Sequence, residues 1–457
     1  VLFRAGTQWS HWDPDHLNVI LYAKGAPLSP GTGYQYLSHP ITEDTRIYHN
    51  RVKVGVRDAQ IVFGRVDAAL ADYGFGPTAD YAMADRYYPP EIFKGAFGEM
   101  HWRRHVIFLK RNAVKGTDYF VMRDTFPGGE QAPKWWTWLN LGGAERIAVD
   151  GTAFDPATVA QDKVVPVAEM PAKQGQVLTL DSGFGASTWM WFSKPKTVRA
   201  RMTATYGTGD GTGKETKTAV EIPAGAGEDY TYVVYPLAEG ETPPTCKALT
   251  DGVLQIRSQG QIDTVFVGDQ PFAYDKDGIM FTGKAGIVRV LSDRFVLSMT
   301  AGSGRIGYQG HILEGHAPFD MSFPLDGLEK GVQQVPGGYP KEKQAVKLAD
   351  TVTVSGEGPF KATLDGETIR ISTQGRARVI HVTQPPFIRR PQYTVDGQEW
   401  MACWTDYPAS GWGAYKNTWL IALSVPEGKH ELVLHDMVFP TGWTRPFTPN
   451  IAAPAKP

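Results

Sequence analysis

The sequence predicts an all-β protein: antiparallel, multi-stranded β-sandwich layers (a supersandwich) followed by a smaller C-terminal β-sandwich. Three observations carry this. Short runs of β-branched and aromatic residues recur along the chain, mostly bounded by Gly, Pro, Asp or Asn. The 457 residues include 50 Gly and 33 Pro, a turn supply suited to many short strands. Helical periodicity is scarce, with only 66–71 reading as a turn or two of helix.

The strand-like runs follow in order. Residues 18–23 read N-V-I-L-Y-A, 105–109 read H-V-I-F-L, 118–124 read D-Y-F-V-M-R-D and 230–235 read Y-T-Y-V-V-Y. Two further runs, 286–291 and 294–299, are separated by Ser292 and Asp293. A last pair, 418–425 and 430–435, is separated by Pro426-Glu427-Gly428-Lys429. A chain of this length is too long for one ordinary core. Polar Gly/Pro connectors at 237–244 and 327–343 divide it into 1–245, a central β-sandwich, 246–343, a further β layer, and 344–457, a C-terminal sandwich suited to carbohydrate.

Composition narrows the function classes. A formal net charge of −2 gives no global bias toward nucleic acid. No apolar run is long enough to span a bilayer. The chain begins at Val1 without an initiator Met, which reads as a mature end or a truncation. The two cysteines, Cys246 and Cys403, lie too far apart to form a metal-type cluster. Thirteen Trp matter because aromatic faces pack against the C–H surfaces of sugars as well as in thick sandwich cores. No nucleophile elbow, dinucleotide fingerprint or zinc-finger spacing occurs. The glycines of 207–213 resemble a phosphate loop only superficially.

Chemistry concentrates between Trp9 and Asn50. In an extended segment His11, Asp13 and Asp15 project to one face. Carboxylates beside an imidazole fix its tautomer and raise its basicity, as a general base requires. The same set, joined by His39 or His49, has the donors of a metal site. A polar loop whose aspartates cap turns is the third reading. In Trp135-Trp136-Thr137-Trp138, alternation puts Trp136 and Trp138 on one face and Trp135 on the other, so one face is a candidate sugar platform. Trp189 and Trp191 also share a face, favoured as core. In the last domain Trp400, Trp404 and Trp412 fit a carbohydrate-binding loop set or a sandwich rim.

The order of these residues resembles the heparinase II/III-like polysaccharide lyases. The residues that carry the resemblance are His11-x-Asp13-x-Asp15, an apolar strand, the Lys24-Gly25 turn, a Pro27-Leu28 and Gly-bearing turn, and Thr45-Arg46-x-x-His49-Asn50 before another strand. The 101–108 and 118–124 segments are similar to that family's next hairpin. The likeness covers about residues 3–128.

The resemblance implies a lyase that cleaves an acidic, uronic-acid-containing polysaccharide by β-elimination, in a secreted or periplasmic setting. It implies His11 as the catalytic histidine, Tyr36 as an assisting tyrosine, and Arg46 as partner of the substrate carboxylate. Asn50, with Trp136 and Trp138, falls to substrate binding. It also implies one divalent metal, zinc or calcium. The family's second histidine is here Asp13, and its aspartate is Ser29 or Pro30, so only His49 is retained cleanly, and the resemblance implies a changed ligand set of Asp13 and His49 with help from Asp15, His16 or His39. The family places an α/α-toroid before this region, which makes an N-terminal helical partner an expectation. A non-catalytic carbohydrate-binding protein of the same fold is the alternative.

Overall fold

The computed structural model describes residues 2–3, 17–29, 49–55, 68–88, 90, 96–111, 117–155, 168–202, 206–207, 214–215, 217–258, 260–326, 330–335, 343–350, 352–375, 378–384, 392–400, 404–406, 419–425 and 428–435. Strands dominate, as the sequence predicts, and the chain divides into two compact units, Val1–Pro336 and Gly337–Pro457.

The first unit is built on a 13-stranded and a nine-stranded sheet. The long strand Ala186–Met202 lets the larger sheet turn on itself. Its first half, from Ala186 to Phe192, pairs with the Tyr230–Ala238 strand, and its last residues pair with Lys217–Ala224. Pro195 lies between these two stretches, where a residue without an amide hydrogen costs the ladder least. The folded sheet encloses one apolar layer, with Trp102, Trp136, Trp138, Phe192 and Tyr232 among its large members.

A second apolar layer lies between the two sheets. Tyr81, Ile107, Val121, Trp191 and Tyr235 come from the larger sheet, and Leu254, Ile256, Val265 and Ile287 from the smaller. This layer crosses residue 245, so segments on both sides of that sequence boundary share one core.

Each layer holds one buried arginine–aspartate pair. Arg104 and Asp124 are directly opposite on adjacent strands, and so are Asp263 and Arg289. Both pairs bond at two points. Two-point geometry offsets much of the cost of removing both charges from water.

The described part of the 66–71 stretch, residues 68–71, departs from its helical expectation. Ala68–Phe75 is a strand, paired antiparallel with Ala79–Tyr88 through a bulge between Leu70 and Asp72. Cross-strand pairing and burial override a weak local preference.

The second unit contains two five-stranded sheets. Val354, Ile380 and Leu423 from one, and Ile369, Tyr393 and Leu432 from the other, form a single apolar core.

Candidate functional site

The hairpin of Val19–Ala23 and Ala26–Ser29 turns at Lys24 and Gly25, both with positive φ (54° and 77°). Two consecutive left-handed residues make the turn that matches strand twist, and glycine accepts that conformation without strain. The hairpin carries the middle of the chemically dense segment. His11, Asp13, Tyr36 and Arg46 lie outside the described residues, whereas His49, Asn50, Trp136 and Trp138 lie within them.

The structure holds Leu17–Val19 beside His49–Asn50. The Asn50 amide nitrogen of the backbone donates to Asn18 Oδ1 at 2.9 Å. Asn50 Nδ2 donates to the Val19 carbonyl at 2.6 Å, and Asn50 Oδ1 accepts the Leu139 backbone N–H at 2.7 Å. One asparagine side chain therefore fastens the hairpin to the Lys134–Leu141 strand. Its amide is buried and committed within the protein, so the structure places it as a clasp rather than on an open substrate surface.

Beneath this clasp sits Arg104. Its Nη1 donates to the carbonyls of Leu17 (2.8 Å) and Asn50 (2.7 Å). Its Nε and Nη2 engage Asp124, which also accepts the Trp102 indole N–H at 2.8 Å. Burial works against the charge on Arg104, but the Asp124 carboxylate outweighs it and holds the guanidinium above its ordinary pKa. Thr137 Oγ1 donates to the His49 carbonyl at 2.6 Å. The His49 side chain is itself buried, at 2% exposure. Among the described residues, no group of three or more His, Cys, Asp or Glu gathers in metal-binding proximity. His49 supplies a donor type that zinc accepts, and its sequence-derived partner Asp13 lies outside the described residues.

Trp136 and Trp138 share a face, as alternation predicts, but that face is the core. Both are fully buried and stacked on each other with centroids 5.6 Å apart. Phe192 and Tyr232 meet Trp136 edge-on. Rings enclosed this way present no face to a sugar, which corrects their assignment to substrate binding. Trp135, on the opposite side of the strand, is partly exposed, with the Arg199 guanidinium 5.7 Å from its ring. Trp189 and Trp191 are core. Trp412 lies outside the described residues.

The other face of Met100–Leu109 carries a charged row that the sequence reading missed. His105 Nδ1 lies 2.9 Å from the Tyr81 hydroxyl, and its Nε2 lies 3.4 Å from Asp269 Oδ1. Arg103 spans Asp269 (2.8 Å) and Asp85 (3.0 Å), and Asp85 meets His101 at 2.8 Å. Burial lowers the His105 pKa, offset only in part by Asp269. Burial opposes ionisation of Asp269, yet the His105 hydrogen bond and the Arg103 charge prevail and hold its carboxyl below the usual range. The row fixes the 267–272 bulge of the second sheet against the first. Alternation through His101, Arg103 and His105 was the available signal. Their partner Asp269, more than 160 residues away, was not.

No protein-family profile matches the chain, and no curated protein matches it. Solved structures show a distant likeness of fold. The chain is similar to the heparan sulfate lyase HepC from Pedobacter heparinus at 14% identity and TM-score 0.37, over 58% of this chain and 38% of that one. It is similar to a heparinase III gene product at 12% identity and TM-score 0.37, over 63% of this chain and 38% of that one. A further heparinase III structure matches at 14% identity and TM-score 0.32, over 61% and 36%. The chain thus spans well under half the length of these proteins.

Proposed function

We propose that this chain is the β-rich part of a polysaccharide lyase that cleaves a uronic-acid-containing polysaccharide by β-elimination, in a secreted or periplasmic setting. The single observation that carries the reading is the order of chemical groups in 9–50. A histidine with two alternating aspartates leads into a strand, a Lys-Gly turn and then Thr-Arg-x-x-His-Asn.

In the proposed reaction a base removes the proton on C5 of the uronate. The C–H electron pair becomes the C4=C5 double bond, and the C4–O bond breaks. The departing glycosidic oxygen takes a proton. The C5 proton is weakly acidic, so negative charge developing on the adjacent carboxylate must be met by a positive or hydrogen-bonding group. His11 serves as the base, Tyr36 assists proton transfer, and Arg46 pairs with the carboxylate. An N-terminal helical partner of the toroid type completes the cleft. A divalent metal held by Asp13 and His49 is proposed as a structural group, and elemental analysis of the purified protein tests it.

The test of the reading is His11→Ala in the longest native form of the protein. Turnover is expected to fall by about 10²–10⁴-fold or more, with folding unchanged. Normal turnover by a well-folded variant removes His11 from the reaction.

A further inference from the structure

The Val19–Ala23 and Ala26–Ser29 hairpin overhangs a cleft of about 400 Å³ in the first unit. This lies within the roughly 300–1,000 Å³ usual for small-molecule sites. Its apolar lining includes Phe108 and Phe120, whose rings stack with centroids 4.9 Å apart. Its polar lining is Lys24, Arg111, Thr117 and Asp118. Tyr22, also on the lining, leaves 62% of its surface in solvent.

Tyr22 is a large aromatic group that the fold leaves uncovered while fixing its position. Its hydroxyl donates to the Gly25 carbonyl at 2.9 Å, across the turn that needs the positive φ of Lys24 and Gly25. A ring held by its far end presents a preorganised face, at little entropic cost on binding.

The cations are arranged differently. Lys24 Nζ donates to Thr117 Oγ1 (3.0 Å) and Glu241 (2.7 Å). Two of its three ammonium hydrogens are thereby used, which leaves one for a ligand. Arg111 is exposed, and its backbone N–H donates to Asp118 Oδ1 at 2.7 Å. Its guanidinium bonds to no other side chain among the described residues.

A flat aromatic face, a hydroxyl- and carboxylate-bearing wall and a guanidinium together meet the parts of a charged pyranose. For such a ligand Tyr22 would be the partner of the ring, Asp118 and Lys24 of the hydroxyls, and Arg111 of the carboxylate through a two-point contact. We propose that this cleft is a binding subsite for one uronate residue of an acidic oligosaccharide, with Tyr22 as its platform and Arg111 as its carboxylate partner. The choice of a uronate rests on the lyase reading above.

The test is calorimetric titration with tetrasaccharides from heparan sulfate and from alginate, with cellotetraose as the uncharged control. A His11→Ala background keeps the probes from being consumed. One uronate probe is expected to bind, and cellotetraose far more weakly. Tyr22→Ala weakens binding by roughly two- to twelvefold, the span set by an aromatic contact of about 0.5–1.5 kcal/mol. Arg111→Met weakens it at least as much, and Tyr22→Phe, which keeps the ring but frees it from the Gly25 carbonyl, weakens it less than Tyr22→Ala. Both positions are exposed, so circular dichroism of the variants is expected to match the parent.

Binding that neither variant alters, equal binding of cellotetraose, or no binding of either uronate probe overturns the proposal. Elimination by the unsubstituted protein is measured in parallel. Variant-sensitive uronate binding without elimination leaves the subsite standing and removes the lyase reading. Elimination with variant-insensitive binding does the reverse.

Discussion

Arg104 Nη1 lies 2.7 Å from the Asn50 carbonyl and 2.8 Å from that of Leu17, so one buried guanidinium holds both residues that bracket the hairpin. Leu17 follows the His11–Asp15 motif, and Asn50 closes the His-Asn motif. The anchor of Arg104 is Asp124, at 2.7 Å and 3.0 Å, with both side chains fully buried.

Removing one partner leaves the other as an uncompensated buried charge. Arg104→Met and Asp124→Leu are each expected to cost about 3–5 kcal/mol in urea unfolding, and the double variant less than their sum. Single variants within about 1 kcal/mol of the parent would show that the pair does not hold this region.

Asn50→Ala leaves the Leu139 N–H and the Val19 carbonyl without the partners they have now. At about 1–3 kcal/mol per buried unsatisfied group, a loss of roughly 2–6 kcal/mol is expected, with KM unchanged in the folded fraction. A raised KM at unchanged stability would instead place the Asn50 amide on the substrate.

The tryptophan triplet separates by face. Trp136→Ala is expected to destabilise by about 3–5 kcal/mol, since it opens a cavity among Trp138, Phe192 and Tyr232. Trp135→Ala, on the partly exposed side, is expected to cost about 1 kcal/mol or less. Equal costs would contradict the assignment of faces.

Burial lowers the His105 pKa, so the folded protein keeps this imidazole neutral where the unfolded chain protonates it, near pH 6.5. The unfolded state then binds more protons. Stability is therefore lost as pH falls from about 6.5 toward the lowered folded value, by at most about 1.4 kcal/mol per pH unit for this one proton. Urea midpoints at about pH 7.5 and pH 5.5 check it: the drop is expected to be smaller in His105→Gln than in the parent. An unchanged drop removes His105 as its source.

Much of this architecture was legible from alternation. Period two through Trp135–Trp138 assigned side chains to faces correctly, because strand geometry fixes it locally. Which face is core was not legible, and so Trp136 and Trp138 read as a sugar platform. That choice depends on Phe192 and Tyr232, distant in sequence and adjacent only after the sheet turns. The 66–71 stretch failed for the same reason: its pairing with Ala79–Tyr88 outweighs local preference. The Tyr81–His105–Asp269 row had half its signal in one strand and the other half in a bulge of another sheet. At the candidate site, the motif residues could be named from their order, and Asn50 shows the limit of naming. A residue type that suits substrate binding also suits a clasp, and only its side-chain hydrogen bonds to Val19 and Leu139 distinguish them.

The most direct test of the proposed lyase is the mass of its products. The longest native form of the protein is incubated with heparan sulfate, hyaluronan, alginate and other uronate polymers, and the released oligosaccharides are weighed by mass spectrometry. Elimination adds no water, so one product of each cleavage carries a C4=C5 double bond and the product masses sum to that of the substrate. The account predicts this balance on at least one polymer. Products whose masses sum to substrate plus one water would mean hydrolysis, and intact polymers across the whole panel would mean no cleavage; either result contradicts it.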